Sequence, residues 1–448
     1  MTGNRANVIV LTVDALRPDY LDRDLCPTMM ELVDDGVYFD RAFSTINTTE
    51  PSLTSFYTGN YPRTTGLVRH GGSVTEADFR ALRDATFVQE RLRDRGYTTT
   101  AVDWIGDWHE RGYDNYSGEL VDSTPSAQTI DSAGIDLPSR LFGTLRSSLP
   151  PTVFEWLRRA KHASIGPSLP SGGWLPDQAS EVVDYAVDRI ARSDEPFYLF
   201  CHFWDTHAPY EVPDAYLDGV DASDPEARYR AAISFVDDQI ERLLTALDET
   251  GVGDDTLLIV MGDHGECFGE HGIYFDHHGL YDPSIHVPLV LHHPDLPSGR
   301  RVDEFVQHVD LCPTILDFVD DSPPQGFDGE SLLPLVRGAV DTIREHVVAE
   351  EAHTQRRICL RTDQYKYIEL LSGSTVCCGC GIVHGGECEL YNLEVDPAES
   401  NDLSDVRPDL VDSLRTQLYE WIRAHGNERR TIDRIVATLD DRGAYDGL

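Results

Sequence analysis

The stretch NVIVLTVD, residues 7 to 14, decides the predicted fold. Residues 7 to 13 form a short run rich in β-branched side chains, which is typical of a strand buried on both faces. The run ends abruptly in Asp14. Open α/β sheets place their functional sites outside the carboxyl ends of their strands. Asp14 is therefore either a metal ligand or a turn residue, and its position favours the ligand.

The same pattern, an apolar run that ends in polar residues, occurs twice more. FYLFCHFW, residues 197 to 204, leads to His207, and TLLIVMG, residues 256 to 262, leads to Asp263 and His264. Helical periodicity or further strand patterns occupy residues 86–95, 97–103, 179–190, 233–247 and 287–291. This alternation predicts an α/β fold with a large, mostly parallel sheet sandwiched by helices.

The pattern of elements changes near residue 340. Residues 1–340 are predicted to form the α/β catalytic domain. Within it, residues 104–175 lack periodicity, which indicates an insertion over the site that carries substrate specificity. Beyond it, three short strand patterns and one amphipathic helix predict a smaller α+β subdomain over residues 341–448, with an antiparallel sheet.

The chain is strongly acidic along its whole length. It has 78 Asp and Glu against 37 Lys and Arg, a net charge of −41, and only two lysines, Lys161 and Lys366. Repulsion among so many like charges weakens a compact state unless salt screens it. The composition therefore predicts a halophilic protein, and it argues against nucleic acid as a partner, because phosphates need basic residues.

Targeting signals and membrane spans are not expected from the sequence. The N-terminus lacks the charged start, apolar run and cleavage site of a signal peptide. No apolar run approaches the roughly 20 residues that cross a bilayer. These observations predict a cytoplasmic protein without a membrane partner, while the oligomeric state stays undetermined.

Four of the nine cysteines lie close together, in a glycine-rich segment between two predicted strands. Cys377, Cys378, Cys380 and Cys388, with His384 among them, provide enough thiolates for a closed structural zinc site. Because Cys377 and Cys378 are adjacent, the spacing is irregular, and free thiols or a disulfide are equal alternatives.

The stretch TTEPSLTSFYTGNYPRTTG, residues 48 to 66, offers a candidate nucleophile. Two threonines precede Pro51, where a helix is predicted to begin. A hydroxyl at a helix N-terminus lies where backbone N–H groups and the helix dipole favour an anion. This placement suits attack on a phosphate or sulfate ester, although an ordinary capped helix has the same pattern.

The polar residues that follow the strands supply a candidate metal site. Asp14, Asp263 and His264 combine carboxylate and imidazole ligands, which suit Mn, Zn, Mg or Ca. A metal beside a threonine hydroxyl lowers its pKa and polarises the ester oxygens. His207 and His277 then bind the transferred group or protonate the leaving oxygen.

Several ordered segments resemble the sulfatase family of the alkaline phosphatase superfamily. They are NVIVLTVDALRPDYL, TEPSLTSFYTGNYPRTTG, HFWDTHAPY, MGDHGECFGEHGIYFDHHGLYDPSIHVPLVL and CELYNLEVDPAESNDLSD. The resemblance implies that Asp14, Asp263 and His264 are metal ligands and that Thr49 is the nucleophile next to that metal, with Thr48 as its competitor. It also implies that His207 contacts the ester.

The chain departs from the family pattern at four positions. Thr49 replaces the Cys or Ser that matures to formylglycine, and Leu53 replaces the signature Arg. Ala15 replaces a second metal-binding Asp, and His277 stands where many relatives carry Lys. These departures suggest a variant in which the usual sulfatase chemistry is altered.

The resemblance implies a metal-dependent hydrolase that cleaves small-molecule or glycan phosphate or sulfate esters through a covalent Thr49 intermediate. A threonine nucleophile predicts a preference for phosphoesters. The alternatives are a phosphoryl-group transferase that uses an alcohol acceptor, and a catalytically inactive relative that binds an anion.

Overall fold

The computed structural model describes residues 5–103, 105–117, 178–193, 196–210, 212–221, 223–321 and 326–425. Most of the predicted insertion, 104–175, therefore lies outside the described residues, as do residues 426–448 of the predicted C-terminal subdomain.

The strands are β1 (Asn7–Val13), β2 (Val37–Phe39), β3 (Ala42–Phe43), β4 (Thr98–Val102), β5 (Asn115–Tyr116), β6 (Phe197–Phe203), β7 (Thr256–Gly262), β8 (Cys267–Phe268), β9 (Tyr274–Asp276), β10 (Leu289–His292), β11 (Arg300–Val302), β12 (Val306–Gln307), β13 (Val347–Glu351), β14 (Arg356–Arg361), β15 (Tyr365–Ser372) and β16 (Cys388–Asn392). The α-helices are α1 (Pro27–Asp35), α2 (Thr49–Thr58), α3 (Pro62–Thr65), α4 (Glu76–Ala81), α5 (Val88–Asp94), α6 (Gln178–Arg192), α7 (Pro225–Thr250), α8 (Asp282–Ile285), α9 (Leu311–Phe318), α10 (Leu333–Val336) and α11 (Pro408–Ala424).

Eight strands form the central sheet, in the order β11-β2-β10-β7-β1-β6-β4-β5. β1 lies between β6 and β7 and is parallel to both. The sheet is mostly parallel, because β10 alone among these strands runs antiparallel to its neighbours β7 and β2. The predicted fold class is confirmed. The polar residues that follow β1, β6 and β7 consequently emerge at one edge of the sheet.

Helices cover both faces of this sheet, and the side chains of β1 divide between them. Val8 and Val10 join the core under α2, α5 and α9. Ile9 and Leu11 join the core under α1, α6 and α7. All seven residues of β1 are buried, which explains why the run lacks polar alternation.

The C-terminal part contains the predicted antiparallel sheet and helix. β13, β14, β15 and β16 pair in sequence order. Val411, Leu414 and Leu418 of α11 pack on one face of that sheet. The Glu350 N–H donates to the Thr45 carbonyl at 2.9 Å, which joins β13 to the segment just before α2. This small sheet therefore contacts the chain close to the candidate site.

Among the described helices, none combines the length and the apolar character needed to cross a membrane.

Candidate active site

Asp14, Asp263 and His264 meet at the carboxyl edge of the central sheet. The parallel register pairs Val13 with Gly262, so the next residue of each strand is a carboxylate that lies beside the other. One ligand atom from each of Asp14, Asp263 and His264 lies within 4.8 Å of the other two, and all three residues are buried. The residues predicted from separate parts of the sequence are thus brought together.

The donor atoms of this cluster fit a divalent cation. Asp14 Oδ1 and Asp263 Oδ2 are buried and accept no hydrogen bond from the residues that the structure describes. His264 donates from Nδ1 to the Gly265 carbonyl at 2.9 Å, which leaves Nε2 to face the carboxylates. Nε2 lies 3.9 Å from Asp14 and 3.4 Å from Asp263. Oxygen and imidazole donors with a fixed second shell are typical of Mn, Zn or Mg sites.

Burial and charge act differently on the two carboxylates. Burial and the neighbouring Asp14 raise the pKa of Asp263. Burial also opposes ionisation of Asp14, but contact with His202 holds the pKa of Asp14 below its ordinary value. Two neighbouring buried carboxylates repel each other, and a divalent cation between them would offset that repulsion.

Thr49 is the first residue of α2, and its side chain points to the cluster. Thr49 Oγ1 lies 3.1 Å from His264 Nε2. Thr48 is the residue before the helix, and its buried Oγ1 makes no hydrogen bond with any described residue. Both hydroxyls are buried at the N-terminus of α2. Of the two threonines, Thr49 therefore has the observed contact with a candidate metal ligand.

His277 lies over the cluster, with its ring centroid 4.3 Å from that of His264. Its Nδ1 donates to the Asn47 carbonyl, so a neutral ring presents Nε2 as an acceptor. Burial, followed by the nearby His264, lowers the pKa of His277 well below the ordinary histidine value. The local geometry therefore favours a neutral ring.

His207 follows β6 and lies at the opening of the site. Its ring stacks on Trp204 with centroids 3.8 Å apart, and it lies 6.3 Å from the ring of His277. Nδ1 donates to the Ala208 carbonyl at 2.7 Å, which fixes the ring orientation. His207 is only partly buried, so its remaining edge can meet a substrate.

Sequence reasoning missed a line of buried groups behind Asp14. His202 Nε2 lies 3.4 Å from Asp14, and its Nδ1 lies 3.0 Å from Asp103. His109 lies 3.3 Å from the other oxygen of Asp103. Although burial opposes protonation, contacts with Asp103 and Asp14 raise the pKa of His202 to about 10. The signal that the sequence offered was His202 itself, an imidazole inside the otherwise apolar run of β6.

A second group that sequence reasoning missed is His70, whose ring also lies near that of His277. Its ring centroid lies 6.2 Å from that of His277 and 5.1 Å from that of His353. His70 contacts the carboxylate of Glu50 through Nδ1. Burial lowers the pKa of His70 to about 3, so this ring is neutral. No local sequence pattern distinguishes His70 from a surface histidine.

Comparison with known families decides the classification. The model of the family described as Sulfatase matches residues 6–321. This chain belongs to the sulfatase family. A second family model, described as N-sulphoglucosamine sulphohydrolase, C-terminal, matches residues 269–424.

The chain is similar to several proteins that are named as sulfatases. It is 25% identical over 431 residues to the uncharacterized sulfatase YidJ of Escherichia coli, covering 86% of this chain and 80% of YidJ. It is 26% identical over 331 residues to YdeN of the same organism, covering 69% and 56% of the two chains. Human arylsulfatase K is 28% identical over 355 residues, covering 76% and 58%. The chain therefore spans little more than half the length of the last two relatives.

Solved structures share the whole fold. The phosphonate monoester hydrolase of Agrobacterium radiobacter aligns with a TM-score of 0.68 and 20% identity, covering 94% of this chain and 96% of its own. A putative sulfatase from Bacteroides thetaiotaomicron aligns with a TM-score of 0.70 and 18% identity, covering 95% and 94%. At these identities the likeness concerns the fold.

Two departures from the family pattern have structural explanations. Leu53 is fully buried in the hydrophobic core beneath α2. Ala15 has a positive φ of 54°, and its N–H donates to Asp263 Oδ1 at 3.0 Å. At this position the backbone N–H therefore contacts the cluster, and the side chain brings no further ligand.

The predicted four-cysteine zinc set is not assembled. Cys377 and Cys380 come together with His278, and their ligand atoms all lie within 4.8 Å of one another. Cys378 is exposed, and its thiol lies 3.8 Å from the His353 carbonyl, outside this group. Cys388 belongs to β16, whose pairing with β15 fixes its position. The set is therefore corrected to two cysteines with histidine.

Proposed function

We propose that this sulfatase-family protein is a metal-dependent hydrolase of phosphate or sulfate esters that forms a covalent ester on Thr49. The observation that carries the proposal is the 3.1 Å contact between Thr49 Oγ1 and His264 Nε2 at the start of α2. A nucleophile, a cation site and a helix N-terminus then coincide, as transfer of an anionic group requires. The preferred substrates in this proposal are phosphoesters.

The proposed cation ligands are Asp14, Asp263 and His264, with Thr49 beside them. A divalent Mn, Zn, Mg or Ca ion held there would lower the pKa of the hydroxyl and draw charge from the ester oxygens. Asp14 Oδ1 and Asp263 Oδ2, which are buried and accept no hydrogen bond from the described residues, support this assignment.

The side chains around Thr49 divide the proton transfers between them. Thr49 Oγ1 forms a bond to phosphorus while the bond from phosphorus to the leaving alcohol breaks. The neutral His277 presents Nε2 and takes the Thr49 proton, because its Nδ1 is committed to Asn47. His207, at the opening, gives a proton to the leaving oxygen. Water then attacks phosphorus and gives a proton to His207, while the protonated His277 returns its proton to Thr49 Oγ1 as the bond from that oxygen to phosphorus breaks.

The identity of the nucleophile favours phosphorus over sulfur. A formylglycine hydrate carries a second hydroxyl, which expels sulfate when the aldehyde re-forms. Thr49 has no second hydroxyl, so water must attack the bound group itself, and the cation and histidines promote that attack at phosphorus. The phosphonate monoester hydrolase of Agrobacterium radiobacter shares the fold, so this fold is compatible with such substrates.

The proposal is tested with one preparation and several aryl esters: a phosphate monoester, a phosphodiester, a phosphonate monoester and a sulfate. We expect the phosphorus esters to turn over faster than the sulfate. Thr49→Ala should lower kcat by at least about a thousandfold, as expected for a lost nucleophile. Thr48→Ala is the matched control and should stay within about tenfold, because its hydroxyl makes no hydrogen bond in the described part of the chain.

Chelation by EDTA should abolish turnover, and divalent cations should restore it. Full activity in a metal-free sample would remove the cation from the mechanism, and unchanged activity in Thr49→Ala would remove the nucleophile. Sulfate turnover above every phosphorus ester, lost in Thr49→Ala, would reverse the substrate preference. Added alcohols distinguish transfer from hydrolysis, because a transferase would yield the new ester.

A further inference from the structure

A second group of metal-ligating side chains lies apart from the catalytic cluster. Cys377, Cys380 and His278 bring one ligand atom each to within 4.8 Å of one another. The cysteines belong to a tight turn, residues 377–384, which we call the cysteine turn. The Gly381 N–H donates to the Cys377 carbonyl at 2.9 Å, and the Cys377 N–H donates to the Ile382 carbonyl at 2.8 Å. The turn thus folds back on itself and directs both thiols inward.

A candidate fourth ligand, His384, lies at the far end of the cysteine turn, next to that group of three. His384 Nε2 lies 2.8 Å from Cys380 Sγ. His384 Nδ1 lies 3.0 Å from the His271 carbonyl, which can only accept a hydrogen bond. Nδ1 therefore carries the proton and Nε2 presents its lone pair to the thiols. Metal-binding histidines typically donate their second ring N–H to a carbonyl or carboxylate in this way.

His278 reaches the turn from the segment that carries His277. Its Nε2 lies 2.9 Å from Asp276, so a carboxylate orients this ring as well. The turn approaches the ring closely at Gly379, where an added Cβ would lie 2.8 Å from two ring atoms of His278. Glycine between the two cysteines therefore permits the contact between the turn and the imidazole.

We propose that Cys377, Cys380, His278 and His384 bind one structural zinc ion. Two thiolates and two imidazoles are a typical closed zinc set, and Cys-x-x-Cys followed by Cys-x-x-x-His has the short ligand spacing of such sites. The two cysteines are not joined in a disulfide. Zinc would therefore replace weak thiol contacts with four bonds.

The proposed zinc joins two parts of the chain that are distant in sequence. One part is the cysteine turn, between β15 and β16, and the other is the segment 276–278. His277 lies in that second segment, next to the ligand His278. Zinc binding would therefore hold the wall of the active site against the C-terminal sheet. This assignment does not depend on the proposed hydrolase activity, because the two ligand sets share no residue.

The test measures the zinc content of protein produced in zinc-replete medium, by mass spectrometry of the metal. We expect one equivalent of zinc per chain that Cys380→Ser loses. Cys378→Ser and Cys388→Ser are matched controls and should retain it, because these thiols lie outside the set. Asp14→Asn should also retain it. A catalytic zinc would appear as a further equivalent that Asp14→Asn loses and Cys380→Ser keeps.

A measurement on the unaltered protein covers the case in which Cys380→Ser does not fold. A mercurial that titrates thiols should release this equivalent of zinc as two thiols react, and a colorimetric zinc indicator follows the release. Cobalt in place of zinc should show thiolate charge-transfer absorption that Cys380→Ser abolishes. Protein without this zinc, zinc that the mercurial leaves bound, or a Cys377–Cys380 disulfide in peptide mapping would each overturn the proposal.

Discussion

Leu53 shows how one residue can belong to a catalytic signature and also to the core. It stands in the first turns of α2, four residues after Thr49, and its side chain is fully buried. Its side chain belongs to the hydrophobic cluster on this face of the central sheet, where an arginine would bring a buried charge. At the position of the signature arginine, this chain therefore has a core side chain beneath the nucleophile.

We therefore predict that Leu53→Arg destabilises the fold and does not create sulfatase activity. An unpaired charge buried in this core should lower the free energy of unfolding by at least about 3 kcal/mol. Leu53→Met, a change of similar volume, should cost less than about 1.5 kcal/mol. Urea unfolding followed by circular dichroism measures both. A Leu53→Arg protein of unchanged stability, with increased sulfate turnover, would contradict this account.

Lys366, one of only two lysines in the chain, is buried on β15. Its ammonium lies 2.5 Å from Asp282, 2.6 Å from Glu399 and 3.1 Å from the Leu280 carbonyl. Although burial opposes the charge, these carboxylates raise the pKa of Lys366. Glu399 ends the Asp-Pro-Ala-Glu sequence, residues 396 to 399, within the segment CELYNLEVDPAESNDLSD that resembles the family. Its contact with Lys366 gives this carboxylate a structural role.

Lys366→Met should lower the free energy of unfolding by about 3–5 kcal/mol, because among the described residues it leaves the buried Glu399 without a cation and leaves Asp282 only Arg361, at 3.2 Å. Arg415→Met is a suitable comparison, since Arg415 pairs with Glu369 at 3.4 Å near the surface. That change should cost less than about 1 kcal/mol. The same denaturant titration measures both variants. Equal decreases in the free energy of unfolding would show that burial of the ion pairs of Lys366 does not matter for stability.

At the scale of elements, α1 depends on a carboxylate from another helix. The residue before α1, Cys26, provides no side-chain cap. Asp237, in the middle of α7, accepts hydrogen bonds from the N–H groups of Thr28 and Met29 at 2.9 and 2.8 Å. A carboxylate at a helix N-terminus satisfies its orphan donors and complements its dipole. These two hydrogen bonds thereby fix the position of the α1 N-terminus along α7.

Asp237→Ala should lower the free energy of unfolding by about 1–3 kcal/mol, because two N–H groups lose their acceptor in a buried position. Asp238→Ala provides the matched control. Asp238 is the exposed neighbour, and its bond is to the hydroxyl of Tyr216 at 2.6 Å. We expect its loss to cost under about 0.5 kcal/mol in thermal and urea unfolding. A larger effect in the control would refute the capping role.

The elements that could be predicted from the sequence are those with a strong local pattern. β7 was predicted at its observed bounds, because seven buried residues form one continuous apolar run. Strand direction could not be predicted in this way, since the apolar run at β10 resembles that of β7 although the two strands are antiparallel. Strands of two or three residues, such as β3, are too short to show any period.

The same limit applies to the candidate site. Asp14, Asp263 and a threonine before Pro51 were candidates because each adjoins a strand or helix end, where functional groups concentrate, whereas the choice of Thr49 over Thr48 came from the family resemblance. The contacts of His202 with Asp14 and Asp103 could not be predicted, because these residues come from distant parts of the chain and only packing joins them. The cysteine cluster was predicted with the wrong members for the same reason, since His278 comes from far outside the cysteine-rich segment.

At the scale of the whole molecule, the charge balance is the dominant feature. The chain has 78 acidic and 37 basic residues, so ion pairs cannot neutralise most of the acids. Several of the pairs that form use arginine at the surface, such as Arg23 with Asp34 and Arg301 with Asp40. Pairs of this kind contribute little to stability. The remaining carboxylates repel one another over the surface of the fold.

We predict that the melting temperature rises steeply between dilute buffer and molar salt. The Debye length falls from about 10 Å at 0.1 M salt to about 3 Å at 1 M, so repulsion between neighbouring carboxylates is then largely screened. Potassium chloride and sodium chloride should act alike if screening is the cause, whereas sucrose, which is excluded from protein surfaces but carries no charge, should stabilise much less at equal osmolality. Differential scanning calorimetry over a salt series measures the effect. A melting temperature that is flat across the series would show that the acidic composition does not make the fold depend on salt. A rise with sucrose as large as the rise with salt would show that charge screening is not the cause.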